Sequence, residues 1–336
     1  MRIVVDAFGG DNAPLAVVKG AADAKKEFGV DIILTGNEEI IKKVAAENNI
    51  DIDGIEIAHT EEIFDMHDQP TDIVRSKKNT SLGLALQIVA DGKADAFVSA
   101  GSTGAVVAGA TFIIKRIKGV KRPALGTIMP ARARKFMLMD CGANAECRPE
   151  MLQQFGVMCS IYLRNVEGIE NPEVGLMNIG TEDTKGTPLQ IEAYKLLKDS
   201  PINFVGNIEA RDLPAGVCDG VIADGYTGNI ALKVYEGVAM NLMKLVKGVF
   251  LTNLKTKIAY LLAKKPLMSL KKFADYSDIG GAPLLGVKKP VIKAHGGSDA
   301  KCIKSAIRQA MLCIENDVIG KISEDLAKSA ETNAEE

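Results

Sequence analysis

The 336-residue sequence predicts an α/β fold, a three-layer α/β/α sandwich around a mostly parallel sheet, on three observations. Short apolar runs alternate with stretches of helical periodicity along most of the chain. Six of those runs end in a cluster of glycine and small polar residues: DAFGGDNAP (Asp6 to Pro14), VSAGSTGA, DCGAN, NIGTEDTKG, DGYTGN and AHGGSD. Finally, Leu125 to Pro130 and Phe136 to Asp140 are joined only by ARARK, which predicts a hairpin and some antiparallel pairing near mid-chain.

Taken in order, the apolar run Ile3 to Asp6 is a strand, and helical spacing follows over Leu15 to Phe28. The pattern repeats as strand Asp31 to Thr35, helix Glu38 to Glu47, strand Gly54 to Ala58, helix Ser81 to Asp91 and strand Ala94 to Ser99. The hairpin strands come next, then helix Pro149 to Arg164, strand Glu173 to Asn178, helix Leu189 to Leu197 and strands Asn203 to Val205 and Gly220 to Ala223. Strand Val291 to Ala294 and helix Ala300 to Asn316 complete the alternation. One catalytic domain is expected over 1–320, with an amphipathic basic hairpin inside it at 237–273 and a flexible polar tail at 321–336.

With 47% hydrophobic residues, 5% aromatic and no tryptophan, the core is built from aliphatic side chains. The formal charge of −2 gives no general attraction to nucleic acid, so charge effects are local. MRIVVD begins as a strand without the features of a signal peptide, and no apolar stretch reaches the roughly 20 residues of a spanning helix; a cytoplasmic protein is expected. The six cysteines lack a C-x-x-C pair and read as free thiols. Cys141, inside DCGAN at a strand end, is a nucleophile only if a base is found beside it, and the neighbouring sequence offers none.

Glycine at a strand end lets the main chain turn sharply and presents N–H groups to a ligand, and a helix beginning there adds its positive end. Such loops suit an anion, phosphate above all. No G-x-x-x-x-G-K-[ST] is present, nor a strict G-x-G-x-x-G, so neither a P-loop nor a dinucleotide fingerprint is read. A single such loop is most simply a tight turn; six of them at strand ends, where ligands of open α/β sheets gather, point to one shared site. Asp6, Asp11, Asp140 and Glu182 offer a competing Mg²⁺ reading that no spacing demands.

In order, these strings, together with PTDIVRSKKNTS, RPALGTIMP, FVGNIEARD and FADYSDIGGAPLLG, resemble the PlsX family of phosphate acyltransferases nearly end to end. The resemblance implies transfer of a long-chain acyl group from acyl-[acyl carrier protein] to inorganic phosphate, giving acyl-phosphate for phospholipid synthesis. It also implies a fold of the isocitrate/isopropylmalate dehydrogenase type and no cofactor. Phosphate needs no strong base to attack a thioester, so catalysis reduces to positioning and oxyanion stabilisation. Lys185 would meet phosphate as a point charge and Asn229 would donate its amide to the thioester oxygen. Their plainer roles are a solvated loop lysine and a helix cap. Asp6, Gly9, Gly10, Asp11, Ser102, Thr103, Gly104, Asn144, Asn178, Thr181, Gly228 and His295 are expected to shape the phosphate and substrate site, the aspartates by orienting loop N–H groups or Lys185. His295 reads equally as a loop residue capping the next helix. Phe8, Gln69, Ala210, Tyr226 and Ser102 depart from the family wording, and only Ser102, where asparagine is usual, touches the site.

Between Glu236 and Asp275 there is no acidic residue, while eight lysines accompany an apolar stripe at helical spacing, with Pro266 expected to divide the run into two helices. The pattern alone fits a buried hairpin, a dimer surface or an interfacial membrane segment. The resemblance implies the last two together: a homodimer whose projection rests on an anionic membrane through Leu251, Leu254, Ile258, Leu261 and Leu262, handing product to a membrane glycerol-3-phosphate acyltransferase. The basic groups Lys115 to Arg122, Arg132 to Lys135, and Lys271 with Lys272 are candidate surfaces for the acidic carrier protein. Three other readings remain: a coenzyme A-dependent phosphate acetyl- or butyryltransferase, a metal-dependent decarboxylating dehydrogenase, and a membrane scaffold without activity.

Overall fold

The computed structural model describes residues 1–65, 67–273 and 280–335, with side chains outside 266–273 and 328–335. Its elements are β1 (Arg2–Asp6), α1 (Leu15–Phe28), β2 (Asp31–Gly36), α2 (Glu38–Glu47), β3 (Glu56–His59), α3 (Ser81–Ala90), β4 (Ala96–Ser99) and α4 (Thr103–Gly109). There follow β5 (Ala124–Met129), β6 (Phe136–Met139), α5 (Pro149–Asn165), β7 (Glu173–Asn178), α6 (Pro188–Lys198), β8 (Asn203–Glu209) and β9 (Gly220–Ile222). The chain ends with α7 (Gly225–Leu251), α8 (Leu254–Phe273), β10 (Gly281–Leu285), β11 (Val291–Ala294), α9 (Ala300–Glu315) and α10 (Val318–Glu335).

All eleven strands share one sheet, ordered β3-β2-β1-β4-β11-β10-β5-β6-β9-β7-β8. Pairing is parallel from β3 to β11 and again from β6 to β8. The three central contacts, β11 with β10, β10 with β5 and β5 with β6, are antiparallel. The β5–β6 pair is the hairpin predicted from ARARK. Because an odd number of reversals separates them, the two parallel blocks run in opposite directions.

Apolar side chains fill both faces, as alternation along strands requires. One core packs β residues such as Ile3, Val5 and Val98 against α1, α5 and α9; the other packs Val4, Phe97, Leu138 and Val221 against α3, α4 and the first turns of α7. These are the three layers.

The boundary between α7 and α8 lies at Thr252–Asn253, and α8 runs on across Pro266. A reciprocal cap makes the break there: Thr256 N donates to Asn253 Oδ1 and Asn253 N to Thr256 Oγ1, each at 3.1 Å. Phe250 and Tyr260 pack ring against ring, 5.7 Å apart, beside this turn. The helix α10 continues to Glu335 through the stretch read as a polar tail, with Val318 and Ile322 buried against the core. Most of the FADYSDI string, at 274–279, and the side chains of Lys271 and Lys272 lie outside the described residues.

Candidate functional site

The six glycine loops form two groups rather than one row. Those after β1, β4 and β11 lie at the carboxyl ends of one block, and those after β6, β7 and β9 at the carboxyl ends of the opposed block.

In the first group, Asp6 is buried at the end of β1 and accepts from Ser99 Oγ at 2.8 Å and Phe8 N at 3.3 Å. Burial pushes its carboxyl above the usual carboxylate range. Ser99 Oγ also accepts from Gly101 N, so one hydroxyl ties the β1 and β4 loops together. Gly9 makes that approach possible: a Cβ there would stand 2.5 Å from Asp6 Oδ2 and 2.7 Å from Gly101 N. Asp11 N donates to Gly296 O at 2.8 Å, which draws in the β11 loop and leaves the Asp11 side chain exposed. Asp6, Gly9, Gly10, Asp11, Ser102, Thr103, Gly104 and His295 are thus gathered around three adjoining strand ends. Ser102 caps α4 through a long 3.5 Å contact from Ala105 N, a use for the hydroxyl that stands in place of an amide. His295 is not the cap of the next helix; Asp299 is, accepting from Cys302 N at 2.9 Å. Instead His295 Nδ1 accepts from Gly297 N at 3.1 Å, and the residue is exposed.

The second group is organised by Asp140, just past β6. Its Oδ1 accepts from Leu125 N and Ala143 N at 3.0 Å and from Gly142 N at 3.3 Å, while Oδ2 accepts from Asn144 N and Nδ2 at 2.8 Å. This carboxylate holds the DCGAN loop shut. Asn144 is consumed in the same network, donating also to Pro123 O, so it shapes the loop from within rather than facing solvent. The first turn of α7 then presses on the loop: a Cβ on Gly228 would lie 2.0 Å from Asp140 O. Asp224 caps α7, accepting from Thr227 N at 2.8 Å and Thr227 Oγ1 at 2.7 Å. Asn229 therefore has no capping duty; it is exposed, beside Gly142.

The NIGTEDTKG loop is gripped at two points. Asn178 Nδ2 donates to Lys185 O at 2.9 Å, and Asn207 Nδ2, from β8, donates to Glu182 O at 2.7 Å. Gly186, at φ +100°, has its missing Cβ 2.6 Å from Asn178 Oδ1. The backbone is fixed while Lys185 and Thr181 remain exposed.

The helix α7 links the two groups. Gly225 N donates to Asn144 O at one edge of the sheet, and Tyr235 reaches Pro130 O, beyond the end of β5, at the other. On the intervening turns, Lys233 pairs with Glu236 at 3.0 Å and lies within electrostatic reach of both Cys141 and Lys293.

Asp6 and Asp11 belong to one group and Asp140 and Glu182 to the other, so the four do not form the Mg²⁺ set considered from sequence. Among the described residues no cluster of three metal-type ligands occurs. Burial pushes the Cys141 thiol far up, and its Sγ contacts Leu125 O at 3.1 Å, the surroundings of a core thiol rather than a nucleophile. Ser99, Asn207, Lys233 and Lys293 were not singled out from sequence, and Asp140 was named there only as a possible metal ligand. Lys293 alone carried a signal, a lysine inside the apolar run VIKA.

The profile of the family described as "Fatty acid synthesis protein" matches residues 1–321. The chain is 47% identical over 334 residues to the phosphate acyltransferase of Clostridioides difficile (strain 630), covering 99% of this chain and 98% of that one. It is 47% identical over 327 residues to the phosphate acyltransferase of Alkaliphilus oremlandii (strain OhILAs), covering 97% and 98%. Among solved structures, a phosphotransacetylase from Streptococcus pyogenes superposes with a TM-score of 0.64 at 21% identity, covering 94% of each chain. A Salmonella typhimurium chain described as a 4-hydroxythreonine-4-phosphate dehydrogenase superposes at 0.53 with 11% identity, covering 93% and 98%. These two speak for the α/β fold alone. The chain belongs to the fatty acid synthesis protein family, the PlsX family of phosphate acyltransferases, and is a transferase that moves an acyl group to phosphate.

Proposed function

We propose that this enzyme transfers a long-chain fatty acyl group from acyl-[acyl carrier protein] to inorganic phosphate, releasing acyl-phosphate and free carrier for phospholipid synthesis. The observation that carries the reading is the NIGTEDTKG loop of this chain, which is 47% identical to a phosphate acyltransferase. Its backbone is clamped by Asn178 and Asn207, while the Lys185 ammonium is left free to meet an anion. A phosphate oxygen attacks the thioester carbonyl, the carbonyl electrons move to oxygen, and collapse of the tetrahedral adduct expels the carrier thiolate, which takes a proton from solvent. Lys185 holds the phosphate, and Asn229, relieved of capping by Asp224, donates to the developing oxyanion. The inert surroundings of Cys141 support direct attack without an acyl-enzyme.

The hairpin supports peripheral contact with an anionic membrane. Leu251, Leu254, Ile258, Leu261 and Leu262 are 52–83% exposed, among lysines, and no helix among the described residues is long and apolar enough to cross a bilayer. A shallow apolar groove on α7, lined by Val234, Gly237, Val238, Asn241, Leu242 and Leu245, supports a homodimer through paired hairpins. Product formed there would pass to a membrane glycerol-3-phosphate acyltransferase. The second reading, raised by the sequence, keeps the same attack by phosphate with coenzyme A as thiol.

The test is acyl-phosphate formation from palmitoyl-carrier protein and phosphate in EDTA, beside palmitoyl-coenzyme A and a Lys185→Ala variant. Product from the carrier thioester alone, lost in the variant, is expected. Turnover only with coenzyme A thioesters moves the assignment to the second reading.

A further inference from the structure

Asp6, Ser99 and Lys293 stand side by side on β1, β4 and β11. Lys293 is paired in register with Ser99, and each of the three lies two residues beyond a member of the core beneath α4 and α7, namely Val4, Phe97 and Val291. Lys293 is only 7% exposed. Its amine donates to Ala100 O at 3.4 Å and to Ala294 O, two of the three hydrogen bonds an ammonium makes. The Asp6 and Asp11 carboxylates act on it through space rather than by hydrogen bond, and Lys233 opposes it from α7. A lysine is seldom so deep without a partner for its charge. The carbonyl it holds, Ala100, opens the loop that carries Ser102, Thr103 and Gly104.

We infer that Lys293 is a phosphate-binding residue of this enzyme, a buried amine that carries its proton when the anionic substrate is bound along the α7 face that presents both Asn229 and, one turn further on, Lys233. The inference rests on the phosphate acyltransferase reading and adds a residue to it. Burial, and then Lys233, hold the Lys293 pKa down at about 8, while Asp6 and Asp11 pull it upward. A phosphate dianion in contact strengthens the upward pull, so above the free-enzyme value binding draws in a proton. Affinity for phosphate then falls as pH rises, by up to about tenfold per unit.

The experiment is calorimetric titration of the full chain with inorganic phosphate near pH 8.5, in two buffers of different ionisation enthalpy, with KM for phosphate followed over pH 7.5–9.5. Proton uptake is expected for the wild type. In Lys293→Met the uptake disappears and phosphate binding weakens about 10- to 100-fold, the worth of a charge-assisted bond. Lys293→Arg, which keeps its charge throughout, restores binding and flattens the pH dependence. Phosphate binding by the wild type without proton uptake, or an unchanged phosphate KM in a folded Lys293→Met, overturns the inference. Proton-coupled phosphate binding in a chain that makes no acyl-phosphate would instead retire the acyl-transfer reading and leave this one standing.

Discussion

Asn178 reaches across its own loop to donate to the Lys185 carbonyl at 2.9 Å, so the residue that closes β7 sets the backbone from which the lysine projects. Asn178 Oδ1 is also engaged, accepting from Ile179 N at 2.8 Å. Asn178→Ala removes both bonds and lets the loop sample other positions. Each bond contributes about 1 kcal/mol, so a tenfold or larger fall in kcat/KM for acyl-phosphate formation is expected, with a smaller change in melting temperature. A full loss of folding would instead place Asn178 in the core.

Gly228 and Gly237 lie on the same helix in opposite circumstances. A methyl at Gly228 meets Asp140 O at 2.0 Å, whereas one at Gly237 meets nothing within 4 Å. Gly228→Ala is expected to push α7 off the DCGAN loop, lowering the melting temperature and removing activity by displacing Asn229. Gly237→Ala gains about 0.5–1 kcal/mol of helix stability in an isolated chain. If the α7 groove seats a second copy, sedimentation will show Gly237→Ala shifting the population toward monomer.

The parallel blocks were legible because their strands are continuous apolar runs followed by well-marked helices, and the hairpin because five residues cannot carry a crossover. The strand β10 was not. GGAPLLG places glycines and Pro283 where a strand should be, and only the antiparallel partners β11 and β5 stabilise it there. Missing β10 concealed the reversal of direction, so six loops read as one edge when they form two. The break after α7 was assigned to Pro266 on its missing N–H, while the local hydrogen bonds of Asn253 with Thr256 end the helix earlier. At the site, the glycines were visible because backbone proximity demands them. Asn207 was not, since its work is done through a hydrogen bond to Glu182, a segment distant in sequence, and Asp140 was read as a possible metal ligand because its bonds to the backbone of its own loop leave no mark in the sequence.

Lys293 makes a stability prediction separate from its ligand. Its pKa falls from 10.5 to about 8 on folding, so between those values the unfolded chain holds more protons and stability rises with pH. Below about pH 8 the cost of the buried charge is felt in full. Lys293→Met should therefore melt higher than the wild type at pH 7, with the gap narrowing toward pH 10 as the wild-type amine loses its proton. A constant difference in melting temperature across that range would show that the amine is not titrating in the folded state.

The α8 end of the hairpin separates membrane contact from chemistry. Leu254, Leu261 and Leu262 are 74%, 68% and 83% exposed, and no described hydrogen bond or ring contact ties their side chains to the catalytic loops. Each leucine withdrawn from water into a lipid interface contributes roughly 1.5–3 kcal/mol. The triple change Leu254→Ser, Leu261→Ser, Leu262→Ser should thus weaken binding to anionic vesicles at least a hundredfold in flotation. Acyl-phosphate formation in solution should remain within a factor of two, because the Lys185 loop is held by Asn178 and Asn207 and Asn229 lies in the first turns of α7, at the end away from α8. Raising the salt should weaken the residual binding further, through screening of Lys255, Lys257 and Lys264. Undiminished flotation would move the membrane contact elsewhere, and lost turnover in solution would make the hairpin part of the catalytic structure.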